Sequence, residues 1–135
     1  MSGPVPSRLV FLSDLPDIPD GEKVRFLGCV EEYDSLNGRL IVRHDYPHTS
    51  SNITIACVDI EHLLESINSL DMSKGAWVNL VGYKTPPSRL DLGTVQNSTQ
   101  TERHVYLQAV MIWSAGALKL KEYEEALISR LQSGK

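Results

Sequence analysis

His44, Asp45 and His48 are side chains that can ligate a metal or move a proton, and they fall within one short stretch. Pro47 breaks any helical spacing between them and no third soft ligand lies nearby. The cluster therefore reads as a solvated turn at a strand end rather than a metal or catalytic centre. Cys29 and Cys57 sit singly inside strand-like apolar runs, without the paired spacing of a zinc site, and read as buried reduced thiols. His62 and His104 read as surface histidines. No Gly-x-Ser-x-Gly elbow, phosphate loop ending in Lys-Ser/Thr or dinucleotide fingerprint occurs. No enzyme, metal or cofactor is expected.

The other chemistry on offer is recognition of single-stranded nucleic acid, which takes cations for phosphates and aromatic faces for bases. Arg39 and Arg43 share one face of a predicted strand, and Arg25 and Tyr33 lie on the strand before it. Tyr83, Lys84 and Arg89 border a long loop, beyond which Arg103, His104 and Tyr106 open another strand. Against this stand 13 basic and 17 acidic residues among 135, a net charge of −4, and only 7% aromatic residues. Such a surface does not coat polyanions and lacks the rings for a continuous stacking platform. The same residues serve equally as core-edge tyrosines and solvated arginines. Weak intrinsic binding is the expectation.

The elements that must position these residues follow from the apolar pattern. Hydrophobic content of 41% with 22% charged residues fits a single globular domain. The apolar run 9–12 is too short to span a membrane and has no signal-peptide flanks, so a cytosolic or nuclear chain without membrane partners is expected. Residues 1–22, with Pro4, Pro6, Pro16 and Pro19, read as an extended arm with one docking point at 9–12. From Lys23 a long strand begins, apolar on both faces, with Gly28 marking a bend. Asn37-Gly38 predicts a type I′ hairpin turn into a strand over 39–46. A third strand carries Ile53, Ile55 and Cys57 on one face.

Asp59 then caps a helix with Ile60, Leu63, Leu64 and Ile67 on its apolar side, ending before Lys74-Gly75. Strands over 76–84 and 102–114 flank a loop over 85–101, and a helix over 117–132 closes the chain. This order predicts an all-β fold with added helices: a single five-stranded OB-fold Greek-key barrel, with a helix between strands three and four. The barrel takes 23–114, the arm 1–22 and the terminal helix 115–135. A small enzyme or ligand-binding barrel is an alternative that predicts an enclosed polar pocket with convergent titratable groups; an interior packed solid with Val24, Phe26, Val42, Ile55, Val78 and Leu80 would rule it out.

The terminal helix is amphipathic. Leu120, Tyr123, Leu127 and Leu131 form its stripe, with Ala126 beside it and Ile128 at its edge. A complete OB barrel does not need this helix, and one of this length is marginal alone in water. The stripe must cover the chain's own barrel or a partner. Partner docking, combined with some self-packing, is the favoured expectation.

Pro19-Asp20-Gly21 leading into Val24-Arg25-Phe26-Leu27-Gly28-Cys29-Val30, then Tyr33-Asp34, Leu40-Ile41-Val42-Arg43-His44 and the closing helix carry a family resemblance. Together they resemble the smallest, Ten, OB-fold subunit of the CST telomere-capping complex, fungal type. The chain is also similar to the small subunit of replication protein A. The first resemblance implies a non-catalytic subunit that forms a heterodimer with the Stn subunit through barrel surface and terminal helix, with Leu120, Tyr123, Leu127, Ile128 and Leu131 at the interface. It implies a larger CST subunit holding most of the single-stranded G-rich telomeric DNA, which this chain alone would bind weakly. It also implies a nuclear, telomeric location and support of capping, telomerase regulation and fill-in by DNA polymerase alpha-primase. An autonomous single-stranded nucleic-acid binder and a small replication protein A subunit are the alternatives.

Overall fold

In the computed structural model, which describes residues 6–46, 53–67, 72–87 and 102–133, the chain opens with β1 (Arg8–Leu9) and a 3-10 helix, Leu12–Asp17. It continues through β2 (Lys23–Asp34), β3 (Arg39–Arg43), β4 (Ile53–Asp59), a second 3-10 helix (Glu61–Ser66), β5 (Trp77–Thr85), β6 (Glu102–Ser114) and α1 (Leu120–Ser133). The strands β2, β3 and β4 form an antiparallel meander. Next to them β6 lies parallel to β4, and β5, antiparallel to β6, returns to β2 and closes the barrel. This is the expected five-stranded Greek key, with β1 added parallel to the start of β2.

Closure depends on β2 serving two neighbours in turn: β5 along Lys23 to Cys29, then β3 along Cys29 to Asp34. Gly28 stands at the changeover. A Cβ there would lie 2.9 Å from the Cβ of Val42, so its absence lets β3 approach. A bulge between Val30 and Glu32 adds twist just beyond.

The interior is packed by Val24, Phe26, Val42, Val78 and Leu80 as expected, together with Val30, Leu40, Val58, Val105 and Leu107. Ile55 is a correction. The register pairs inward-facing Val42 with Ala56 and Arg43 with Ile55, which turns Ile55 outward. Both faces of β4 are apolar, so alternation alone did not distinguish them.

Three local expectations also change. The segment before Lys23 docks far beyond 9–12: Val10, Leu12, Leu15 and Ile18 all join the core, and Leu12 and Leu15 are wholly buried. Proline limits an α-helix but tolerates one short 3-10 run, here begun by Asp14 accepting the Phe11 N–H at 3.1 Å. The β2–β3 turn is not type I′, because Gly38 has a φ of +66° while no non-glycine residue among those described has positive φ. Asp34 instead organises it, accepting the N–H groups of Leu36 and Asn37 at 3.1 Å and the Asn37 amide at 2.7 Å. Finally, β3 ends at Arg43 rather than residue 46, because His44 and Tyr46 leave the ladder to pack elsewhere.

The helix between the third and fourth barrel strands is a 3-10 run. Its N-cap is Ile60 rather than the expected Asp59; Asp59, one residue earlier, accepts the Glu61 N–H at 3.0 Å, while Ile60 enters the core and Leu63, Leu64 and Ile67 pack against it. Its predicted continuation through 68–71 lies outside the described residues, as do His48, Arg89 and most of the loop 85–101.

Candidate functional site

After β6 the chain turns at Gly116, φ +65°, and α1 folds back onto the outside of the barrel. The helix stripe is largely spent in doing so. Leu127 is buried, Leu120, Tyr123 and Ile128 are half-buried, and only Leu131, 39% exposed, remains open. Glu124 lies within the same stripe and is buried, its Oε2 2.6 Å from Nε2 of His44. His44 is therefore not in the solvated turn expected for it.

Rings wall this pair. Phe11 stacks on Tyr46 with centroids 4.5 Å apart, Trp77 meets His44 edge-on at 5.4 Å, and Tyr123 stands 6.3 Å from it. Burial pushes the Tyr123 hydroxyl above the usual tyrosine pKa, a shift opposed by nearby Arg25. Burial, followed by the charge of Glu31, raises the Cys29 thiol as well. Both described cysteines are reduced, Cys57 buried and Cys29 half-buried. Leu27, between Arg25 and Cys29 on the outward side of β2, is 1% exposed.

Beside this region the β2–β5–β6 face carries apolar surface. Met111 is 56% exposed and Val110 38% exposed, next to a bulge that pairs Val81 with Met111 and Gly82 with Ala109. The Arg25 guanidinium lies over the Trp113 ring, 5.2 Å from its centroid, a cation–π contact on the same face.

The nucleic-acid candidates do not converge on one face. Arg39 is 3.3 Å from Asp59, and Arg43 is 3.3 Å from Glu31 and bonded to Asp45 at 3.1 Å. Lys84 donates to the Ile18 carbonyl at 2.7 Å and faces Asp20 at 3.8 Å, holding the N-terminal segment to β5. Tyr33 packs on the core, and Tyr83 has the Lys23 ammonium 6.0 Å above its ring. Lys84, Arg103, His104 and Tyr106 do share one cleft, but Asp17 and Asp20 line it too and Tyr106 is nearly buried. Arg89 is outside the described residues.

Sequence reasoning missed Glu124, Met111 and Trp113. A signal for Glu124 was available: a carboxylate inside an apolar helix stripe needs a buried partner.

The whole chain has known counterparts. Residues 1–128 match the family model described as Ten1, telomere capping, CST complex subunit. The chain is 27% identical over 104 residues to protein ten1 of Schizosaccharomyces pombe, covering 77% of this chain and 90% of that one. Its fold is similar to a chain in the crystal structure of the S. pombe Stn1–ten1 complex, with a TM-score of 0.68 at 24% identity over 96% of each chain. An asparaginyl-tRNA synthetase from Entamoeba histolytica is similar in fold alone, with a TM-score of 0.52 at 10% identity over 85% of this chain and 25% of the enzyme. A match to the Ten1 model over nearly the full length identifies this non-catalytic barrel as a member of the Ten1 family of telomere-capping CST complex subunits.

Proposed function

We propose that this chain forms a heterodimer with an Stn1-type subunit, using the outward edge of α1 together with the apolar β5–β6 face. The carrying observation is that Met111, Val110 and Leu131 stay exposed although α1 already buries Leu127 and seats Glu124 against His44. Half-buried Leu120, Tyr123 and Ile128 extend the interface. Support comes from the S. pombe relative of similar fold, whose structure is that of a Stn1–ten1 complex. Leu127 is committed to the chain's own fold and supports the interface from beneath.

In this reading the dimer works in the nucleus at telomeres beside the larger CST subunit, which holds most of the single-stranded G-rich DNA. The assembly limits telomerase and admits DNA polymerase alpha-primase for fill-in. This chain adds little direct DNA affinity. Arg39 and Arg43 face carboxylates, and the cleft bearing Arg103 is lined by two aspartates.

Light scattering with an Stn1-type partner tests the interface. The double variant Met111→Glu/Leu131→Glu should remain monomeric when mixed with the partner, with its melting temperature unchanged. Normal association by that variant would show the interface to be elsewhere. An autonomous DNA binder would instead hold oligonucleotide as an isolated chain, with affinity falling steeply as salt rises.

A further inference from the structure

Helix α1 meets the barrel through a repeating stripe, and repetition creates an ambiguity. Sliding the helix by one turn, about 5.4 Å, would bring Leu131 to the place of Leu127 and Leu127 to that of Tyr123. Apolar contact alone distinguishes such positions poorly, since hydrophobic attraction follows area and has no direction. The same slide would set Ile128 or Leu120 opposite His44 in place of Glu124.

We propose that His44 and Glu124 are positioning residues, a buried polar latch that selects one seat for α1 on the barrel and thereby sets the partner-docking surface. The inference rests on the docking reading above. Three observations carry it. The side chains are 1% and 7% exposed and 2.6 Å apart, so the contact is made almost out of solvent. The imidazole is enclosed by Phe11, Tyr46, Trp77 and Tyr123, which come from the N-terminal segment, the stretch just after β3, β5 and α1 itself. Its Nδ1 and the Tyr123 hydroxyl are buried without hydrogen-bond partners. The pocket thus spends polar groups where apolar ones would fit.

Buried pairs of this kind are replaceable by apolar residues at little or no loss of stability, whereas a displaced partner leaves a desolvated polar group unmatched. Their attested use is to fix the register of packed helices. Here the register sets where Leu131, Ile128 and half-buried Leu120 stand relative to Met111 and Trp113. The latch would act on affinity through the fraction of molecules with α1 correctly seated.

The test separates positioning from stability. The double variant His44→Phe/Glu124→Leu removes both polar groups with similar volumes, and Glu124→Gln keeps a hydrogen bond to the imidazole. Each full-length protein is melted, its α1 amide resonances are counted by NMR, and its affinity for an Stn1-type partner is titrated. The double variant should melt no lower than wild type, show more than one set of α1 resonances, and bind about two- to tenfold more weakly, in inverse proportion to the seated fraction. Glu124→Gln should show one set and bind like wild type.

A double variant with one resonance set and unchanged affinity overturns the proposal. So does one that fails to fold, since the pair would then hold the fold together rather than choose among seats. If wild type does not bind the partner yet the resonances split, the latch stands and the docking reading falls.

Discussion

Two outer faces of the same barrel handle charge in opposite ways. On the β3–β4 side Arg39 meets Asp59, and Arg43 meets Glu31 and Asp45, in ion pairs within reach of water. Under α1 one imidazole and one carboxylate meet almost out of solvent. Solvated pairs gain modest Coulomb energy and add little to stability, while a desolvated pair is costly to break and dictates geometry. The first face has neutralised the cations that an OB barrel would offer to phosphates. The second sets a buried polar contact within a largely apolar junction.

The largest effect should come from breaking the buried pair on one side. His44→Ala takes the imidazole away from the buried Glu124 carboxylate and opens a cavity beside Trp77, at an expected cost of about 3–5 kcal/mol. Glu124→Leu takes the carboxylate away from the buried imidazole, and should cost about 1–3 kcal/mol. Urea unfolding of both variants checks the asymmetry. Equal, small losses would place the two faces in one energetic class and erase the contrast.

Next in size is Gly28, where β2 passes from β5 to β3 and thus from one face to the other. Gly28→Ala would press a methyl onto Val42 at 2.9 Å and should cost about 1–3 kcal/mol, read as a lowered urea midpoint with an unchanged denaturant slope. A neutral result would mean that β3 can retreat and that the approach of the two strands is not tight.

Which parts of this were legible in the sequence depended on range. The strand order followed from local alternation and turn residues, and β6 occupies the predicted 102–114. Ile55 was assigned inward because β4 is apolar on both sides, and only pairing with β3 decides its face. The prolines of the N-terminal segment suggested an arm, although Val10, Leu12, Leu15 and Ile18 were already spaced to bury one side. His44 and Glu124 are 80 positions apart, so their meeting depends on how the barrel closes and where α1 returns. Arg43 could be read as a cation but not as a neutralised one until the register put Glu31 within reach.

Smaller effects are expected on the solvated face. Arg39→Ala and Arg43→Ala should each cost no more than about 1 kcal/mol in thermal or urea unfolding and leave oligonucleotide binding by the isolated chain unchanged. A loss of binding would show that phosphate displaces the carboxylates and that this face is a working nucleic-acid surface after all.

Asp34, at the end of β2 where the β2–β3 loop begins, provides the finest probe of that possibility. Hydrogen bonds from Asn37, side chain first and backbone second, hold its carboxyl below the usual aspartate pKa. A depressed pKa means that the turn is fully supported above the unfolded-state pKa and loses that support as the pH falls through the lower folded one. An NMR titration should give a midpoint below the ordinary aspartate range, and Asn37→Ala should move it back up. Phosphates drawn to this loop would raise the depressed midpoint, because a neighbouring negative charge disfavours the ionised carboxylate. The midpoint should therefore stay fixed when single-stranded oligonucleotide is added. An upward shift would return the β3–β4 face and its loop to the list of DNA contacts, and the two faces would then differ in partner rather than in whether they bind one.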